Sequence, residues 1–164
     1  MRTLLLLRHG KSSWSDPSLS DHDRPLKKRG KRDAARMGAH VLEEGLAPDA
    51  IVSSTAARAA ATAALFAEAC EREGLVRLDE RLYHGAPDDY VDAVREVEPW
   101  HDPVLLVGHN PGMEELVAVL AGEIVRMPTA ALARVSIAGG SWRDVVPARC
   151  GALVDLWLPR EIGR

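Results

Sequence analysis

Residues 3–10 read Thr3-Leu4-Leu5-Leu6-Leu7-Arg8-His9-Gly10, an unbroken apolar run stopped by a cationic pair and a glycine. Neither face of the run alternates with polar residues, which suits a strand buried on both sides in the middle of a parallel sheet. The carboxyl end of that strand delivers His9. The design recurs at Val104-Leu105-Leu106-Val107-Gly108-His109, which also ends in histidine and continues into Asn110-Pro111-Gly112.

Between and around these two runs, strand and helix patterns alternate. A polar loop rich in Ser, Asp and Pro leads to residues 27–44, where Ala34, Met37, Gly38, Val41 and Leu42 fall at helical spacing and Gly45 ends the pattern. Residues 50–53 form a short apolar strand. An Ala-rich helix is expected over 56–73, with Ser53, Ser54 or Thr55 available to cap it and Arg58 near its N-terminus. A helix is predicted over 87–97, another follows His109 with Met113, Leu116, Val117 and Leu120 on one face, and residues 134–137 and 153–158 read as later strands. This alternation implies an α/β fold, a three-layer α/β/α sandwich around a mostly parallel sheet.

In open α/β sheets ligands gather at the carboxyl ends of the strands, so residues that follow different strands converge. Here those residues are Arg8, His9, Arg58 and His109. Two guanidinium forks and two imidazoles make a cationic pocket matched to phosphate oxygens. Helix N-termini expected after Gly10, at Arg58 and after His109 would add backbone N–H donors. A neutral imidazole is a competent phosphorus nucleophile, and transfer to His9 followed by attack of water divides one hard step into two easier ones. Arg8 neighbours His9 in an extended segment, so alternation sends it to the opposite face and its side chain must curl back. Each residue taken singly is an ordinary polar loop or surface group; the joint pattern is what points to a phosphate site.

The 164 residues are expected to form a single domain, 1–164, large enough to bury a core without disulfides. With 46% hydrophobic and 27% charged residues, the chain falls among globular proteins and not among disordered ones. A formal net charge of −3 gives no reason to expect a nucleic-acid or membrane surface. Four leucines before Arg8 are too few for a signal-peptide core or a membrane span, so a cytoplasmic location is expected. Cys70 and Cys150 form no Cys-x-x-Cys pair and read as free thiols. The six histidines show no metal-binding spacing, and no metal or other cofactor is expected.

Five segments in order resemble the histidine phosphatase, or phosphoglycerate mutase-like, superfamily and within it the phosphohistidine phosphatase SixA branch. They are residues 6–14, Leu-Leu-Arg-His-Gly-Lys-Ser-Ser-Trp; Asp23-Arg24-Pro25-Leu26; Ser53-Ser54 with Arg58-Ala59 and Thr62-Ala63; Val107-Gly108-His109-Asn110-Pro111-Gly112; and Pro128-Thr129-Ala130-Ala131. The resemblance implies His9 as nucleophile, with Arg8, Arg58 and His109 as the phosphate clamp and Arg24 and Ser15 as secondary contacts. Ser15 stands where the mutases usually carry Asn, and Lys27 where many relatives have a helix-capping Thr or Asn. The family's general acid comes from the segment before the second His-ending strand, where Glu80 is the nearest candidate. Only about twenty residues separate Glu80 from the strand at Val104, so no large cap insertion is expected and the pocket should be open. An open pocket admits phosphohistidine on a folded protein, such as a phosphotransfer domain. An imidazole leaving group, with a pKa near about 6.5, needs no strong acid.

Three look-alikes fail on spacing. Gly10-Lys11-Ser12 mimics the end of a phosphate-binding P-loop, but Leu5 stands where that motif needs Gly. Cysteine phosphatases need Arg six residues after the nucleophile, where Val76 and Leu156 stand. Asp21-His22-Asp23 resembles an aspartyl phosphatase pair but follows a loop and not a buried strand. A phosphatase for small phosphoesters and a non-catalytic phosphate-binding module remain as alternative functions.

Overall fold

In the computed structural model, which describes residues 1–162, the leucine run becomes β1 (Arg2–Arg8), with Leu4 to Leu7 all buried. Each such side chain contributes about 1.5–3 kcal/mol on leaving water. The chain continues through α1 (Lys28–Glu43), β2 (Ala50–Ser53), α2 (Ala57–Ala69), β3 (Val76–Leu78), α3 (Pro87–Arg95), β4 (Val104–Gly108), α4 (Gly112–Ala121), β5 (Leu132–Ile137) and β6 (Gly151–Trp157).

The strands make one sheet in the order β3-β2-β4-β1-β5-β6. Alternate residues of the central strands feed two cores. Leu5 and Leu7 of β1 and Leu105 and Val107 of β4 pack with Met37, Val41, Ala63 and Phe66 of α1 and α2. Leu4, Leu6, Val104 and Leu106 pack on the other side with Val91, Val94, Leu116 and Leu120 of α3 and α4. These are the three layers expected of the sequence. On the α1/α2 side Gly38 lets the helices touch, since a Cβ there would overlap the Phe66 carbonyl.

β3, β2, β4 and β1 run parallel, whereas β5 runs against β1 and β6 against β5. The expectation of β1 inside a parallel sheet therefore holds on its β4 side only. α4 carries the chain back to the amino edge, and the irregular segment 122–131 returns it to the carboxyl edge, so β5 has to run the other way. Two further expectations change. The Ala-rich helix ends at Ala69 and not at residue 73, because Glu71 turns left-handed (φ 62°) and the chain reverses into β3, a strand too short and mixed to register in the pattern. No helix starts after Gly10: residues 11–26, with Pro17 and Pro25, form a loop closed by a bridge between Ser12 and Leu26 and a 3-10 turn at Asp21–Asp23.

Between β3 and β4 the chain holds only a 3-10 turn (Glu80–Leu82) and α3, so no inserted cap rises over the carboxyl edge. No helix among the described residues is long and apolar enough to cross a membrane. Cys70 and Cys150 are free thiols, and burial pushes Cys70 up to about 11.

Candidate active site

The carboxyl edge of β1, β2 and β4 carries a depression of about 340 Å³ lined by Arg8, His9, Arg24, Arg58 and His109 together with Lys11, Ser12, Trp14, Asp21, His84, Asn110 and Thr129. The four residues brought together by the sequence pattern thus share one wall-to-wall site. The His9 and His109 rings lie 5.0 Å apart at 51°.

His9 is fixed from two sides. Its Nδ1 lies 2.7 Å from the Gly10 carbonyl, which can only accept, so Nδ1 carries the proton and the Nε2 lone pair of the neutral ring is free. Burial brings its pKa from 6.5 down to about 4, and the guanidiniums of Arg58, Arg8 and Arg24 act in the same direction against the Gly10 bond. The Gly10 N–H donates to Thr62 Oγ1 at 2.9 Å, and the Thr62 hydroxyl donates to the Arg58 carbonyl at 2.7 Å. Thr62 thereby ties the loop after His9 to the first turn of α2. Ala130 holds the other side: its N–H is shared between the Arg8 and His9 carbonyls, at 3.0 and 2.9 Å, from a left-handed conformation (φ 61°).

Arg8 does curl back. It lines the depression, and its Nη1 donates to the Met127 carbonyl at 3.0 Å. Asn110 Nδ2 donates to the same carbonyl at 2.9 Å, and the Met127 N–H is taken by Glu114 Oε2 at 2.6 Å. The buried Arg8 Nε, His109 Nδ1 and Asn110 Oδ1 have no protein partner among the described residues.

His109 sits just past β4, its Nε2 2.8 Å from Ser54 Oγ, and its N–H donates to the buried Tyr90 hydroxyl at 3.1 Å. Burial carries its pKa down to about 3, with His9, Arg58 and His84 adding to the effect. Arg58, in the first turn of α2, is met by Asp21: Nη2 donates to Oδ2 at 3.0 Å and Nη1 to the Asp21 carbonyl at 2.7 Å. Arg24 donates to the same carboxylate, at 3.2 and 3.1 Å, and to Ser12 Oγ at 2.8 Å, with Trp14 stacked 3.4 Å from its guanidinium carbon. The Tyr83 hydroxyl completes the set at 2.6 Å. Asp21 is consequently held well below the usual carboxylate range, first by Tyr83 and then by Arg58 and Arg24, with its slight burial opposing.

The secondary candidates divide. Arg24 belongs to the depression; Ser15 is exposed, bonded to Ser13, and Ser12 takes the place beside Arg24. Glu80 is exposed at the start of its 3-10 turn and does not line the depression, whereas His84, four residues on and left-handed at φ 59°, does. Asp21, Thr62, His84 and Asn110 have no sequence signal of their own beyond lying in or next to recognised segments. Among the described residues no cluster of three His, Cys, Asp or Glu is arranged to hold a metal ion.

A model of the histidine phosphatase superfamily (branch 1) matches residues 4–88. An uncharacterized protein of Mycobacterium tuberculosis is 36% identical over 168 residues, covering 94% of this chain and 100% of the relative. Two solved structures assigned as the phosphohistidine phosphatase SixA are similar over nearly the whole chain. That from Nakamurella multipartitia is 31% identical with a TM-score of 0.80, covering 96% of both chains. That from Agrobacterium tumefaciens is 28% identical with a TM-score of 0.80, covering 96% of this chain and 98% of the other.

Proposed function

This chain belongs to the histidine phosphatase superfamily, in its SixA branch, and on that footing we propose that it removes the phosphoryl group from phosphohistidine on a protein, with His9 as the nucleophile. Phosphatase chemistry through a histidine is what the family provides. The observation that supports His9 in particular is its tautomer: a neutral imidazole, Nδ1–H tied to the Gly10 carbonyl, with Nε2 free inside a ring of three arginines.

In this reading the substrate phosphoryl oxygens are taken by Arg8, Arg24, Arg58 and His109, all of which line the depression. The His9 Nε2 lone pair forms a bond to phosphorus while the phosphorus–nitrogen bond of the substrate breaks, and the departing imidazole takes a proton from solvent. Water then attacks phospho-His9, releasing inorganic phosphate and returning His9 to its neutral form. The positive field that neutralises the phosphoryl oxygens comes from side chains, which is how phosphoryl transfer is stabilised electrostatically.

The protein substrate is supported by the low walls of the site. Nothing inserted between β3 and β4 overhangs the depression, and Trp14 stands 70% exposed at its rim. Such a mouth gives a small metabolite few contacts and leaves room for a folded domain. The test pairs ³²P-labelled phosphohistidine protein with a small phosphoester. Rapid turnover of the protein, with acid-labile ³²P trapped on the wild type and none on His9→Ala, is the expected result. Brisk hydrolysis of the small ester alone overturns the choice of substrate, and label retained on His9→Ala overturns the nucleophile.

A further inference from the structure

Beside the phosphate depression runs a second, strongly cationic trough. Six of the chain's 21 Lys and Arg fall within residues 27–36 (Lys27, Lys28, Arg29, Lys31, Arg32 and Arg36), against the single acid Asp33, in a protein whose net charge is −3. The first turn of α1 contains no acidic residue, and its cap, Lys27, makes no side-chain capping bond. Cations at a helix N-terminus oppose the helix dipole, so this segment breaks a local rule of helix stability, as functional surfaces do.

Arg29, Arg32 and Arg36 surround the buried Asp33 at 3.7, 3.7 and 3.9 Å, too long for hydrogen bonds. One carboxylate thus faces three guanidiniums. None of the three donates a side-chain hydrogen bond among the described residues, and Arg29 and Arg32 are 65% and 63% exposed. These arginines, with Arg160, Leu158 and the Pro128-Thr129 loop, line a depression of about 290 Å³. Pro128, Leu158 and Arg160 are also walls of an adjoining hollow lined by Arg126, Glu114 and Arg8. Thr129 is a wall of both the trough and the phosphate depression. Gly10 and Gly30 fix that proximity: a side chain at Gly10 would come within 2.7 Å of the Gly30 carbonyl, so the first turn of α1 lies directly against the segment that follows His9.

The geometry points to this trough as the docking surface for an acidic flank of the phosphoprotein, next to the phosphohistidine; the inference rests on the protein substrate proposed above. A second anionic group on a small molecule would need an enclosed seat, whereas here long, exposed arms spread over two adjoining hollows. Such arms suit carboxylates distributed across a folded surface, and they accelerate encounter with a partner of opposite charge.

Arg29→Gln/Arg32→Gln tests this: Gln is a good helix former, the first turn loses unfavourable charge, Arg36 stays beside the buried Asp33, and a melting curve of the variant checks that the fold is kept. Two substrates share one leaving group: a histidine phosphotransfer domain with an acidic flank, phosphorylated by phosphoramidate, and free phosphohistidine. The expected result is a loss of about tenfold in kcat/KM on the domain, with a flattened salt dependence, and no matching loss on free phosphohistidine. Neutralising the acidic flank of the domain should give a similar loss that does not add to the first. Unchanged turnover of the domain, or equal losses on both substrates, overturns the docking surface alone. A wild type inactive on the domain overturns it together with the substrate reading. A loss confined to small bisphosphorylated esters places a second phosphate in the trough and overturns the protein partner.

Discussion

The Asp21 carboxylate lies 3.0 Å from Arg58 Nη2, and the Asp21 carbonyl lies 2.7 Å from Arg58 Nη1, so one residue engages both ends of the guanidinium. Asp21 also receives Arg24 and Tyr83, and it therefore sets the spacing of two arginines that reach the site from different elements. Asp21→Ala should lower kcat about tenfold by loosening both buried guanidiniums. Steady-state kinetics beside a melting curve decide the matter. Unaltered kcat would show that the arginines hold their places without it.

The buried His9 makes the fold sensitive to acid. In the unfolded chain it takes its proton near 6.5, in the fold only near about 4. Between these values the unfolded state binds more protons, so stability falls as pH falls from 6.5 toward 4, and below that His9 adds no further loss. The gap corresponds to about 3 kcal/mol. His9→Asn should flatten the pH dependence of Tm across this window. Parallel wild-type and variant curves would remove burial of a neutral His9 from the account.

His84 and Glu80 offer a direct contrast over proton supply. His84 lines the depression and Glu80 does not. Glu80→Gln should leave turnover unchanged. His84→Asn should slow hydrolysis of a phosphoester, whose alcohol leaving group needs a proton, by about tenfold or more, and that of phosphohistidine much less. The reverse order of effects would return the role to Glu80.

Gly108 leaves room for the Tyr90 ring, which a Cβ at this position would strike. Since the Tyr90 hydroxyl receives the His109 N–H, displacing the ring also moves His109. Gly108→Ala should cost about 1–3 kcal/mol by overpacking and reduce kcat as well. Chemical denaturation and kinetics report the two parts separately, and a variant as stable as wild type would show that the ring shifts freely.

The two apolar runs that end in histidine made the central strands and the quartet legible, because buried strands and their final residues leave a contiguous signal. What stayed hidden depends on pairings distant in sequence. Asp21 reads as a loop acid, and only the fold of residues 11–26 carries it to Arg58, 37 positions later. β3, three residues with two exposed, has no periodicity to detect. The family pattern suggested Ser15 and Glu80, yet the backbone turned Ser12 and His84 inward.

The antiparallel course of β5 has a consequence for tolerance to change. In a sheet whose strands all leave at the carboxyl edge, every loop there is outbound; here residues 126–131 arrive inbound and supply the Met127 carbonyl under Arg8 and the Ala130 N–H under His9. Lengthening the path before β5 would shift the floor of the reaction centre. Lengthening the link from β5 to β6, at the far edge, would leave that floor alone. The reversed strand thus divides the chain's last third into a stretch whose length is constrained by chemistry and one constrained by packing alone, through the buried Trp142 and Val145.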